Sequence, residues 1–148
     1  MCVPNSPKCI AKLCVRIGFG VALALFGIAH LRTMDGFRVM VSDGLGPLAG
    51  LGTLWAYILP LLQIGGGVLL VANYRLDIAA WCAGIALASI AIGMPLKAVI
   101  GGVPLGEVAP AVNTTLLWLL VYLFVVKGLC CDAKKKEGAG SAHACPSC

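Results

Sequence analysis

Acidic side chains are scarce: the chain has six Asp and Glu, and none falls within its long apolar runs. That leaves no paired carboxylates for acid/base hydrolysis, and no Ser-His-Asp set or phosphate-cradling Gly-Lys loop can be assembled either. Charge of any sign is thin, 11% of residues, where soluble domains carry about a quarter. A soluble fold is thereby excluded. The net charge of +5 would point to nucleic acid in a soluble protein. Here the basic residues sit at the ends of apolar runs and in the tails, with no clustered basic face, so nucleic acid is not an expected partner. The polar, basic stretch 1–14 has no signal-peptide pattern with a small-residue cleavage site, so the first apolar run is expected to stay in the protein.

What the chain has in abundance is apolar bulk and glycine. Sixty per cent of residues are hydrophobic, 19 are glycine, and the mean hydropathy is +0.98. Runs at about 14–31, 48–71, 78–96 and 108–126 are each long enough to cross a bilayer as a helix. The expected fold is an all-α integral membrane protein, a bundle of four transmembrane helices with the lipid bilayer as its first partner. Residues 1–14 form a short Cys-containing tail, 15–127 the membrane domain, and 128–148 a Cys-rich tail. Between the first two spans Phe37, Met40 and Val41 recur at helical spacing, which predicts a short interfacial helix ended by Gly44, Gly46 and Pro47.

The first run organises the rest. Arg16, Gly20, Ala24, Gly27 and Leu31 share one stripe at 3.6 residues per turn, with His30 at its edge. A stripe of small residues lets a neighbouring backbone approach closely in lipid. In the second run Pro60, Gln63 and the glycines at 65–67 predict a kinked helix whose freed backbone groups are satisfied by its neighbours. The loop 72–77 is short enough to make the third helix antiparallel to the second, with Asp77 as its expected cap. Pro95 is expected to bend the end of the third helix.

Polar groups within spans mark candidate chemistry. Residue spacing puts His30 and Lys97 at the outer ends of their helices, Asn113 in the outer part of the fourth, and Gln63 nearer the bilayer centre. One reading is a pocket open to the outer leaflet, in which His30 and Lys97 hydrogen-bond a quinone oxygen or an anion. The other makes His30 and Lys97 interfacial anchors and Gln63 and Asn113 interhelical hydrogen bonds. Arg16 stands at the opposite end, as an orienting charge or a site residue. Cys82, alone in an apolar helix, is expected to pack as a small hydrophobe.

The remaining cysteines lie outside the apolar core. Cys130 and Cys131 are adjacent, and His143 precedes the C-x-x-C formed by Cys145 and Cys148. Such a set can chelate one soft metal ion or cycle between dithiol and disulfide. Inert or lipidated tail thiols are the alternative.

Arg16-Ile17-Gly18, then Phe26-Gly27 and His30, then Phe37, then the stretch LPLLQIGGGVLLVANYRLDIAAW at 59–81 resemble the DoxX-like family of small membrane proteins. The likeness covers about 15–127 and implies four membrane helices. The family takes its name from the membrane subunit of a thiosulfate to quinone oxidoreductase, and other members are linked to thiol and oxidant handling. Gln63 stands where the family often carries Glu, and an amide cannot carry a proton as a carboxylate does. The resemblance implies a small redox-associated subunit, part of a sulfur compound to quinone oxidoreductase, with quinone as cofactor and a membrane or soluble redox protein as partner. A carrier of a soft heavy metal using the tail cysteines, or a structural subunit of a membrane complex, are the rival functions.

Topology follows from charge. Lys8, Lys12, Arg16, Arg75, Lys127 and the lysines at 134–136 lie on one side, and Arg32, Arg38 and Lys97 on the other, eight against three. Positive charge is retained inside, so both termini are expected in the cytoplasm of a prokaryotic cell, with the bundle in its cytoplasmic membrane. A reporter fused after Val126 should be active only in its cytoplasmic form, and periplasmic activity would reverse this orientation.

Overall fold

The computed structural model describes residues 7–137, with side chains at 7 and 10–127. They form helices α1 (Pro7–Arg32), α2 (Met34–Ser42), α3 (Ala49–Ala72), α4 (Leu76–Gly101) and α5 (Leu105–Glu137), with a single 3-10 turn at Gly46–Leu48 before α3. Four stretches, Ile10–Arg32, Gly46–Ala72, Leu76–Gly101 and Leu105–Lys127, are long and apolar enough to cross a membrane. In hydrocarbon every backbone N–H and C=O needs an internal partner, which an α-helix supplies and an open strand does not. The protein is a multi-pass, all-α membrane bundle.

Small residues hold the bundle together. A Cβ added to Gly20 would lie 2.8 Å from the carbonyl oxygen of Gly67, one on Gly67 would lie 2.8 Å from the Ala24 nitrogen, and one on Gly27 would lie 2.7 Å from the Pro60 carbonyl. α1 and α3 therefore pack antiparallel with their backbones in contact. On its other face α3 meets α4 closely as well: a Cβ added to Gly66 would lie 3.1 Å from the Cys82 Cβ and from the Ala83 nitrogen. Cys82 thus packs as a small hydrophobe at a helix seam. α4 meets α5 through Tyr122, whose ring occupies the space over Gly84 and whose hydroxyl donates to the Ala80 carbonyl at 3.0 Å. The core that results has two parts. Phe19, Leu23, Leu70, Ala79, Ala83, Leu87 and Val125 fill one, and Phe37, Ala56, Leu59 and Ala86 the other.

The short helix after the first span is α2. Thr33 interrupts α1 for one residue, yet its N–H still donates to Ala29 and its carbonyl accepts from Phe37. α2 then follows the first half of α3, with Phe37 packed against Ala56 and Leu59 and Gly52 facing Val41 and Ser42. Gly44 and Gly46 close it with φ of +76° and +52°, a region open to glycine at little cost. Gly101 of α4 touches the Gly44 carbonyl directly.

Several local expectations change. α4 is preceded by Arg75 in a left-handed conformation with no side-chain cap, so Asp77 is not the cap. It lies in the first turn, where its charge still favours the helix dipole. α4 runs through Pro95 to Gly101, since a helix in a bundle can carry a proline without ending. α1 begins at Pro7, and α5 continues beyond Lys127 to Glu137. Both helical ends reach into segments that composition assigns to tails, because Ala, Lys and Glu are good helix formers.

The glycine seam can be tested within one tripeptide. Gly65 has nothing within 4 Å of an added Cβ, whereas Gly67 faces α1. Gly65→Ala should leave stability unchanged or raise it by up to about 1 kcal/mol through helix propensity. Gly67→Ala should lower it by about 1–3 kcal/mol through overpacking, measured by unfolding in mixed detergent.

Candidate functional site

The structure brings His30 and Gln63 together. His30 Nδ1 lies 3.0 Å from Gln63 Oε1, and the His30 ring stacks on Phe37 with centroids 4.1 Å apart and planes 20° apart. The seam explains the pairing: Gly27, one turn before His30, presses against Pro60 and Gln63, which brings the His30 side chain within reach of Gln63. His30 stands near the end of its helix, two residues before Arg32, as its spacing predicts. Gln63 is nine residues from the end of α3 at Ala72 and fourteen from its start at Ala49, or about 14 Å and about 21 Å at 1.5 Å per residue.

Gln63 is 3% exposed and His30 half-buried. In the tautomer with its proton on Nδ1, His30 donates to the Gln63 carbonyl oxygen. Nε2 then carries the lone pair in the neutral ring. It has no hydrogen-bond partner among the described residues.

Lys97 lies elsewhere. Its side chain is 9% exposed and its ammonium donates to the carbonyl of Met40. That carbonyl belongs to the last turn of α2, where carbonyls lack intrahelical donors and a cation is favoured. Lys97 thus fastens the end of α2 to α4. Both His30 and Lys97 meet α2, at Phe37 and Met40, but no hydrogen bond joins them.

Asn113 does not join the site. It is exposed on the outer face of α5, while the inward stripe is Val108, Thr115 and Val125. Thr115 returns its hydroxyl to the Ala111 carbonyl at 2.7 Å. At the opposite end Arg16 Nη1 donates to Asn73 Oδ1 at 2.7 Å, tying α1 to the α3–α4 turn. Asn73 itself ends α3 with φ +55°, a conformation that asparagine tolerates. Cys130, Cys131, His143, Cys145 and Cys148 lie outside the residues whose side chains are described. Among the described residues no three His, Cys, Asp or Glu side chains gather as a metal ion would require.

Sequence reasoning missed three partners: the Met40 carbonyl for Lys97, Asn73 for Arg16, and the Phe37 ring for His30. The turn sequence Ala72-Asn73-Tyr74 offered a signal for the second. A backbone carbonyl leaves no mark in sequence.

The fold and these buried polar links define a small multi-pass membrane bundle with one polar pair on its α1–α3 seam. The family model described as methylamine utilisation protein MauE matches residues 8–105, and the chain belongs to this family of small membrane proteins. The matching family is not the DoxX-like one that the glycine intervals resemble. Glycines at helical intervals arise wherever membrane helices pack closely, which is what the two readings share. No curated protein and no solved structure matches the chain.

A double-mutant cycle measures the polar pair. His30→Phe and Gln63→Leu should each destabilise the bundle, with a coupling of about 1 kcal/mol, within the range of interhelical hydrogen bonds in membranes. A coupling near zero in detergent unfolding would remove the bond.

Proposed function

We propose that this protein is a small redox-associated membrane subunit that links oxidation of a thiol or sulfur compound to reduction of a membrane quinone, with His30 at the quinone. The observation that carries the reading is the free Nε2 of His30, whose ring is held in an apolar bundle by Gln63 and Phe37. Membership of a methylamine-utilisation family is compatible with redox work in the membrane.

The chemistry asks little of the bundle itself. Two thiols going to a disulfide release two electrons and two protons, and a quinone going to a quinol takes up the same number. With Nδ1 committed to Gln63, Nε2 accepts a hydrogen bond from a quinol hydroxyl. With a second proton, it donates one to a quinone carbonyl. His30 is then the group that gains or gives the proton at one quinone oxygen, and Phe37 keeps its ring plane fixed. Gln63 holds the tautomer and carries no proton of its own. The electron donor on this reading is a partner redox protein, with the tail dithiol of Cys145 and Cys148 as a second entry point.

Binding of a short-chain ubiquinone to the detergent-solubilised protein tests the assignment. His30→Ala should weaken binding about tenfold, the loss of roughly one hydrogen bond to the ligand. Arg38→Ala, whose guanidinium donates to the Tyr57 hydroxyl at 3.2 Å, should change it less than about twofold. Equal losses in both variants, or no quinone bound by the unaltered protein, would defeat the proposal.

A further inference from the structure

α1 and α5 touch through aromatic rings. Phe19 stands 5.6 Å from Trp118 and 6.3 Å from Tyr122, and Phe26 stands 5.7 Å from Trp118. Toward the end that holds the α3–α4 turn, the two helices leave a groove of about 340 Å³ between them, walled by Val15, Gly18, Phe19, Leu117, Trp118 and Val121. Gly18 creates much of that space, for a Cβ placed on it meets nothing within 4 Å. Every wall is apolar, and the groove opens sideways from the bundle into the depth that lipid chains occupy. Hydrocarbon is its natural content.

The charges at this end of the bundle specify which hydrocarbon. Lys12, three residues before Val15 on the same stripe of α1, is exposed just beyond the groove. Arg16 follows Val15, and its bond to Asn73 fixes it at the level of the turn. Lys127 is six residues past Val121, about 9 Å further along α5. With Arg75 these are four cations, and Asp77 is the one acidic side chain described at this end. A neutral lipid gains nothing from them. A second copy docked symmetrically would bring its own Lys12 to the same end, and like charges would oppose it.

We infer that the α1–α5 groove binds an acyl chain of an anionic phospholipid whose phosphate sits on Lys12, with Arg16 and Lys127 adding attraction. The site is separate from the His30–Gln63 pair, which is on the α1–α3 seam.

Native mass spectrometry of the full chain in detergent, with phosphatidylglycerol or phosphatidylcholine added, tests it. The unaltered protein should retain phosphatidylglycerol at least about fivefold better, the gain expected from one cation near the headgroup. Lys12→Gln, an exposed change that leaves the fold intact, should reduce that preference toward unity without altering phosphatidylcholine retention. Gly18→Leu should fill the groove and lower retention of both lipids, with the melting temperature in detergent unchanged. Equal retention of the two lipids by the unaltered protein, or phosphatidylglycerol binding indifferent to both variants, overturns the inference. A change of oligomeric mass in Gly18→Leu also overturns it, and assigns the groove to contact between copies.

Discussion

The backbone contact between α1 and α3 is the constraint on which the rest of the structure depends. Gly20 against Gly67 and Gly27 against Pro60 bring the two helices closer than any pair bearing side chains could come. In lipid, where no hydrophobic effect drives helices together, dispersion across such a seam is a main source of association. The seam also sets register. Once Gly27 lies on Pro60, His30 has to fall beside Gln63, and Phe37 is carried to where its ring covers the imidazole. The polar pair is thus a consequence of glycine positions seven residues apart on α1.

A second theme is how buried polar groups are answered. Lys97 takes the Met40 carbonyl, Tyr122 the Ala80 carbonyl, and Thr115 the Ala111 carbonyl. Each bond joins a side chain to a backbone oxygen, and the first two tie separate elements together. Arg16 Nε and Trp55 Nε1 are buried without a partner among the described residues. His30 and Gln63 stand out because they answer each other, side chain to side chain, and leave a ring nitrogen over. That is why function is sought at His30 and not at Lys97, although both were equal candidates by residue type. Lys97 has its ammonium committed to fastening α2, a fixed structural task.

Gln63 illustrates how far a single residue identity reaches. An amide in the middle of an apolar helix signals a partner on a neighbouring helix, and the identity of that partner as His30 could not be read from spacing. Nor does anything in the sequence say that α2 extends alongside α3 and carries Phe37 onto the imidazole. Asn113 looked equivalent to Gln63 by type, though nearer the outer end of its helix. On α5 the inward stripe runs through Val108, Thr115 and Val125, and Asn113 falls off it, a matter of rotation that composition cannot supply.

The sequence by itself determined that this is a bundle of four membrane-crossing helices, because length and hydropathy of each run are local properties and lipid permits no other backbone arrangement for such runs. It also determined where backbones would come close, since glycine stripes carry their own helical period. Which polar residues meet was decided only by the tertiary structure. Helix rotation, the antiparallel register of α1 on α3, and the course of α2 each depend on contacts between residues distant in the chain. His30 with Gln63 and Lys97 with Met40 are pairs of that kind. Such contacts are products of packing geometry, and no local stretch of the chain encodes them.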